Sequence, residues 1–276
     1  MLDHFFHPDG VAILGATDNR AKGGFHILRN VLAGYKGRIY PVNPRVKEIL
    51  GVPCYPDVKS VPGSFDLAIY FIPARFLLEA IHDCAERGAK GIIIESAGFS
   101  EVGESGRKLQ EDAVRLARAR GIRLWGPNCM GLLDGHTRSV FSFMYTDRWT
   151  TLMKPGNVSL IVQSGMLSAG FLMTILERGG MGMAKVCSIG NKCDVDETDV
   201  LGYLARDPDT EVIGCYLESI TEGRKFLDIA RSTAKPIVVL KSGRSAGGAR
   251  AAMSHTASLS GSAAVYEGAF RQAGVV

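Results

Sequence analysis

The chain has 276 residues, with 32 Lys and Arg against 28 Asp and Glu for a net charge of +4, and it is 46% hydrophobic and 22% charged. That length suits two domains of roughly 100–200 residues each, and so mild a charge without a Lys/Arg-rich run argues against a nucleic-acid partner. No apolar run approaches the roughly 20 residues of a membrane span, and no signal peptide is found, so a cytoplasmic protein without membrane contact is expected.

Short Val- and Ile-rich runs alternate with helical patterns. GVAILGA (10–16), RIYPVN (38–43), FDLAIYFIP (65–73), GIIIES (91–96) and IRLWGPN (122–128) read as buried strands, with helices expected near 23–34, 74–88 and 105–120. Buried strands alternating with helices imply βαβ units on a parallel sheet. The stretch from Gly135 to Pro155 breaks this rhythm, and the domain boundary is placed there: a first unit over 1–135, a second over 150–276. The pattern restarts with NVSLIVQS (157–164), KVCSIGN (185–191), VIGCYLES (212–219) and PIVVLKSG (236–243), with helices near 166–179, 196–206, 222–233 and 261–273. The closing Val275-Val276 reads as the start of another strand, so a boundary inside a longer polypeptide is expected.

The first strand runs into VAILGATDNRAKGG, a glycine-rich turn that opens a helix. Backbone N–H groups and the dipole at such a helix start attract a phosphate. The full G-x-G-x-x-G is missing, however: Gly15 is followed by Ala16 and Thr17, and the next glycines are Gly23 and Gly24. The second strand ends in Asn43-Pro44 rather than in the acid that grips a ribose. A phosphate cradle survives this reading; a nicotinamide oxidoreductase is disfavoured by it. Pro73 and Arg75, Ser96 to Gly98, and Asn128 follow the third, fourth and fifth strands. Each suits a plain turn, but together they stack at the carboxyl edge where open α/β sheets bind ligands.

In the second unit, Gln163-Ser164-Gly165 ends a strand and opens a helix, a further anion site with Ser164 as cap. Glu218 ends a neighbouring strand, and His255 sits among small residues in AAMSHTASLSG. A neutral imidazole held by a carboxylate beside a helix start has what phosphoryl transfer needs, namely positioning and electrostatics. A surface or capping histidine is the competing reading. DVDETD (194–199) lacks the glycine and glutamate of a calcium loop, since Asp199 and Ala205 stand at those places, and reads as acids in a helix's first turn. His4 and His7 read as structural. The six cysteines (54, 84, 129, 187, 193 and 215) form no C-x-x-C pair and read as reduced core thiols, so no metal is expected.

VAILGAT, IYPVNP, ESAGFSEVGE, GPNCMG, PGNVSLIVQSG, IGNKCDVDE, VVLKSGRS and SHTASLSG occur in one order along the chain. With these motifs the chain resembles the CoA-binding and first ligase domains of the nucleoside-diphosphate-forming acyl-CoA synthetases, such as ADP-forming acetate–CoA ligase, relatives of the succinyl-CoA synthetase α subunit. The resemblance implies a Rossmann-like CoA-binding domain followed by a flavodoxin-like domain. It implies that acyl-CoA, phosphate and ADP give a carboxylic acid, CoA and ATP through an acyl phosphate and a phosphohistidine. It makes His255 the phosphorylated residue, Glu218 its stabilising acid, and Ser164 and Gly165 the phosphate cradle. Gly15, Ala16, Thr17, Asn43, Pro73, Ser96 and Asn128 fall where the family contacts CoA. Coenzyme A and a small carboxylic acid are the implied substrates. Mg-ATP or Mg-ADP is expected on an ATP-grasp β subunit or fused domain, within a homo- or hetero-oligomer. Relatives usually read SHTGSLAG and Glu-Gly; here Ala257, Ser260 and Ser219 depart from that pattern. A CoA-sensing module, or the synthetase-like region of a protein acetyltransferase, is the rival.

Overall fold

The computed structural model describes residues 2–145, 154–179, 181–242 and 263–276. A short helix, α1 (Asp3–Phe6), precedes β1 (Gly10–Leu14), α2 (Gly23–Gly34) and β2 (Arg38–Val42). A small hairpin, β3 (Glu48–Ile49) and β4 (Val52–Pro53), leads to β5 (Leu67–Tyr70), α3 (Leu77–Glu86), β6 (Gly91–Ile94), α4 (Glu104–Ala119) and β7 (Arg123–Trp125). The sheet order is β2-β1-β5-β6-β7, and every pairing is parallel. Strands β1, β5 and β6 are buried along their whole length, which is why their sequences read as continuous apolar runs rather than as alternation. The winding direction reverses between β1 and β5, the crevice where such sheets take their ligands.

The second sheet holds β10 (Pro155–Val162), β11 (Met183–Ser188), β12 (Val212–Leu217) and β13 (Ile237–Lys241), in the order β13-β12-β10-β11. Its described helices are α5 (Gly165–Arg178), α6 (Glu197–Leu204), α7 (Gly223–Ser232) and α8 (Ala263–Gln272). Here the winding reverses between β10 and β12. Val276 bonds to the backbone of Ile237 and Val239, so the closing Val-Val lies alongside β13 as the start of a strand would.

Two further strands, β8 (Leu132–Asp134) and β9 (Ser139–Phe141), were not expected. They form a hairpin, and β8 pairs antiparallel with β11, so this segment extends the second sheet. The hairpin also packs on α2 of the first unit, where buried Asn30 donates to the carbonyls of Ser142 and Met144 at 2.8 Å each. Trp125 at the end of β7 donates its indole N–H to the carbonyl of Ser188 at the end of β11, 2.7 Å away. Phe5 and Phe6 of α1 flank Trp125, and Phe6 stacks on Tyr203 of α6 at 4.3 Å. One hydrophobic cluster therefore runs from α1 and β1 through Trp125 to β10 and β12.

The hairpin is pinned by charge. Lys185 on β11 has a fully buried side chain and lies 3.4 Å from Asp134, 3.0 Å from Asp207 and 3.4 Å from Asp209. Burial alone would lower its pKa, but Asp134, Asp207 and Asp209 outweigh burial and hold the ammonium above its usual range. Removing the cation leaves buried carboxylates without a counter-charge. Lys185→Met is therefore expected to lower unfolding free energy by about 3–5 kcal/mol, measured by urea denaturation.

His4 packs against the Phe5 ring, and its buried Nε2 has no partner among the described residues. Burial pulls its pKa from 6.5 to about 4, with Asp66 opposing. The unfolded chain then binds a proton below pH 6.5 that the folded chain refuses until about pH 4. Stability contributed by this site is present above pH 6.5 and is lost as the pH falls towards 4. The urea midpoint of His4→Leu should fall less steeply across that window than that of the unsubstituted protein.

Candidate functional site

A cleft of about 860 Å³ opens at the carboxyl ends of β1, β2 and β5. Gly15 enters it at φ +97°, a conformation for which a side chain is strained, and a Cβ there would meet the Phe71 carbonyl. A Cβ on Gly24 would collide with the carbonyl oxygen of Gly15, so glycine lets the start of α2 close onto the first strand's turn. Gly15, Thr17, Asn43 and Pro73 line this cleft. Ala16 lies buried beneath it, its carbonyl accepting from Asn43 Nδ2 at 2.7 Å. Exposed Lys22, Arg45 and Arg75 add positive charge to the lining, and Arg75 stands 4.6 Å over the ring of exposed Phe76. Lys22 and Arg45 were missed because lone cations in turn sequences carry no spacing signal.

A second cavity, of about 410 Å³, lies where the carboxyl ends of β6, β7, β10, β11 and β12 converge. Ser164, Gly165, Glu218 and Asn128 all line it. Asn128 thus faces this cavity rather than the first, while Ser96 spends its hydroxyl on the Ile72 carbonyl, 2.8 Å away. His255 falls outside the described residues.

The loop after β12 is clamped from three sides. Buried Gln163 accepts from the backbone N–H of Glu218 at 2.9 Å and of Ser219 at 3.2 Å. Lys192, at φ +48°, donates to Glu197 and to the Ser219 carbonyl, both at 2.8 Å. Fully buried Glu197 in turn accepts from Thr221 N–H at 2.5 Å. Glu218 itself is buried, and its Oε2 has no partner among the described residues. Glu95, at the end of β6, is a site residue that the sequence reading passed over. Its Oε2 accepts from Phe143 N–H at 2.8 Å while Oε1 is buried and without a partner among the described residues. Burial pushes its carboxyl well above the usual range, against the smaller pull of that N–H.

The acids of DVDETD do different things, although Asp194 and Asp199 share Arg123. Asp196 caps α6, accepting from Thr198 and Asp199 N–H at 2.9 Å each. Asp194 lies outside the helix and binds Arg118 and Arg123 of the first unit. Among the described residues, one set meets the geometry for a cation, His82, Asp83 and Glu86, and Asp83 there is already paired with Lys59 at 3.1 Å. All six cysteines are free, as expected.

Comparison with known proteins agrees with this geometry. Residues 9–134 match the CoA binding domain, and residues 155–276 match the succinyl-CoA ligase-like flavodoxin domain. The acetate–CoA ligase [ADP-forming] II subunit alpha of Pyrococcus furiosus is 40% identical over 278 residues, covering 100% of this chain and 59% of the relative. Over its whole length the chain is a homologue of the alpha portion of ADP-forming acetate–CoA ligases. Acetate–CoA ligase [ADP-forming] I of Archaeoglobus fulgidus is 41% identical and is covered to 39% of its length. The dinucleotide forming acetyl-coenzyme A synthetase 1 of Ca. Korarchaeum cryptofilum, solved with phosphate and ADP, superposes with a TM-score of 0.93 at 40% identity, over 100% of this chain and 59% of that one. The chain thus spans well under two thirds of these relatives. No described helix is long and apolar enough to cross a membrane.

The close approach at Gly24 gives a direct test of the first cleft. Gly24→Ala must push α2 away from the Gly15 turn. It is expected to weaken CoA binding about tenfold or more, or roughly 1.4 kcal/mol, in isothermal titration.

Proposed function

We propose that this chain is the CoA-binding and phosphohistidine-bearing part of an ADP-forming acyl-CoA ligase. The observation that carries the reading is Glu218: a buried carboxyl with an oxygen that has no partner among the described residues, its backbone fixed by Gln163, in the cavity that also holds the Ser164–Gly165 helix start.

The first cleft takes coenzyme A. Gly15, Ala16 and Thr17 form the turn beneath its phosphates, Lys22, Arg45 and Arg75 neutralise them, and Asn43 and Pro73 border it, with Ser96 holding the adjoining strand ends together. The cleft's volume, about 860 Å³, suits a large cofactor-sized ligand. In the second cavity a phosphate oxygen attacks the thioester carbonyl. The C–S bond breaks, the CoA thiolate leaves and takes up a proton, and an acyl phosphate remains. A ring nitrogen of His255 then attacks phosphorus, and the P–O bond to the acyl group breaks with release of the carboxylate. The backbone N–H groups at the start of α5 hold the phosphoryl oxygens. Glu218 accepts from the other ring N–H and offsets the positive charge that develops on the imidazole. Transfer from phosphohistidine to Mg-ADP requires an ATP-grasp part, as a fused domain or a partner subunit; the length of the relatives beyond the matched portion supports this. A cytoplasmic setting suits the six free thiols.

Intact mass at alkaline pH, where phosphohistidine survives, tests the reading. Acyl-CoA plus phosphate, or acetyl phosphate, should give one acid-labile phosphoryl adduct that is absent in His255→Ala. Glu218→Gln should slow its formation about tenfold or more without changing CoA affinity. An adduct that persists in His255→Ala would sink the proposal.

A further inference from the structure

Lys192 stands in a backbone conformation that suits a glycine better. Its φ of +48° is left-handed, which glycine adopts without strain and a lysine does not. The turn that carries it is stitched to the first unit. Asn191 N–H donates to the Pro127 carbonyl and Cys193 N–H to the Gly126 carbonyl, both at 2.9 Å. A Cβ on Gly190 would collide with that Pro127 oxygen, so the turn has little room to relax. What a lysine adds over glycine at position 192 is its ammonium.

An ammonium has three donors. One meets Glu197 Oε2 and another the Ser219 carbonyl, each at 2.8 Å, and no third partner stands among the described residues. The side chain is only 8% exposed, and the residue lines the second cavity together with Gln163, Ser164, Gly165 and Glu218. A buried donor left without a partner is costly, and the space that Lys192 adjoins is this cavity. Among the described residues that line it, Lys192 is the one cation, set against the carboxyls of Glu95, Glu101 and Glu218.

We infer that the third N–H of Lys192 holds an oxygen of the phosphate, and then of the phosphoryl group, while the start of α5 holds the others. This rests on the reading of Ser164–Gly165 as the phosphate cradle. Inorganic phosphate must enter beside the Glu218 carboxylate, which repels it. A helix start offers only about half an elementary charge. A fixed ammonium adds a full one, and burial strengthens its pull. Glu197, held in turn by Thr221 N–H, keeps the ammonium oriented. Lys192 makes and breaks no covalent bond. Its charge stays in place while the P–O bond to the acyl group breaks and the bond from the ring nitrogen to phosphorus forms. It is thus a residue of the phosphoryl step as well as a clamp on the loop after β12.

The test separates those two roles. Phosphoryl adduct formation is followed on the full-length protein in its native assembly, with saturating acetyl-CoA and increasing inorganic phosphate. Lys192→Met should raise the phosphate concentration for half-maximal rate about tenfold or more, with CoA affinity held within about twofold. Glu197→Gln keeps the ammonium and removes its buried counter-charge. It should lower the maximal rate by loosening the loop, yet hold the phosphate half-saturation within about threefold. A lysine that only clamps the loop would make the two variants alike in phosphate dependence, and that result overturns the inference. An unchanged phosphate dependence in folded Lys192→Met overturns it as well. Should Lys192→Met fail to fold because Glu197 is left buried without its cation, Lys192→Met/Glu197→Gln removes both charges together. Read against Glu197→Gln alone, the double variant should show the same tenfold rise, and equal half-saturation would overturn the assignment of Lys192. No adduct in the unsubstituted protein would overturn the underlying phosphohistidine reading, and this inference with it.

Discussion

Asp194 is the tie on which the geometry of the second cavity depends. Its side chain is 1% exposed, and a carboxylate in that position is costly unless it is fully partnered. It accepts from Arg118 Nε at 3.0 Å, Arg123 Nε at 2.8 Å and Leu124 N–H at 2.9 Å, all donors from the first unit. The carboxylate belongs to the turn after β11, and that same turn carries Asn191 and Lys192 into the cavity. Asn191 reaches back to Glu101 at 2.6 Å, and Glu101 accepts from Gly98 and Phe99 N–H at the end of the fourth parallel strand's loop. With the Trp125–Ser188 bond, these contacts fix the carboxyl edge of one sheet against that of the other. Chemistry between a ligand on one sheet and a residue on the other tolerates little misplacement, because reacting atoms must be held about 3–3.5 Å apart.

The two cavities use charge differently, and their depth explains why. The first cleft presents exposed Lys22, Arg45 and Arg75, whose field acts at long range and is screened by salt. The second cavity uses buried groups such as Lys192 with Glu197 in fixed partnerships, where the field is strong. Of its carboxyls, Glu95 is pushed well above the usual range by burial, Glu101 is held by Asn191, and Glu218 stands in a loop tethered by Gln163 and Lys192.

Most of the architecture was legible because parallel strands leave continuous apolar runs, and the four-residue β5 and β6 announce themselves that way. Hairpin β8–β9 did not, since its strands are three residues each and its register is set by β11, about fifty positions away. The site divides along the same line. Gly15, Asn43, Ser164 and Glu218 were readable because each stands at a strand end, where the fold dictates a loop at the ligand edge. Glu95 and Lys192 were not, because their places in the cavity come from what lies across the interface rather than from local pattern.

The acidic stretch 194–199 shows what such a pattern can and cannot convey. The run of acids correctly indicated a helix's first turn, where Glu197 and Asp199 stand, and Asp196 adds a cap that the pattern did not announce. The remaining assignments depend on partners distant in sequence. Asp194 reaches 71 positions back to Arg123, Asp199 binds the same arginine at 2.7 Å, and Glu197 turns inward to Lys192. Arg123 therefore bridges two of these acids while Glu197 steadies the loop beside Glu218. Four like charges in one short segment would repel one another if left in solvent. Opposed by cations from β7, α4 and their own turn, they join the docking of the two sheets to the positioning of the phosphate-side loop. A change at Asp194 is thereby felt at Lys192, two residues away, and through its ammonium at the carbonyl of Ser219.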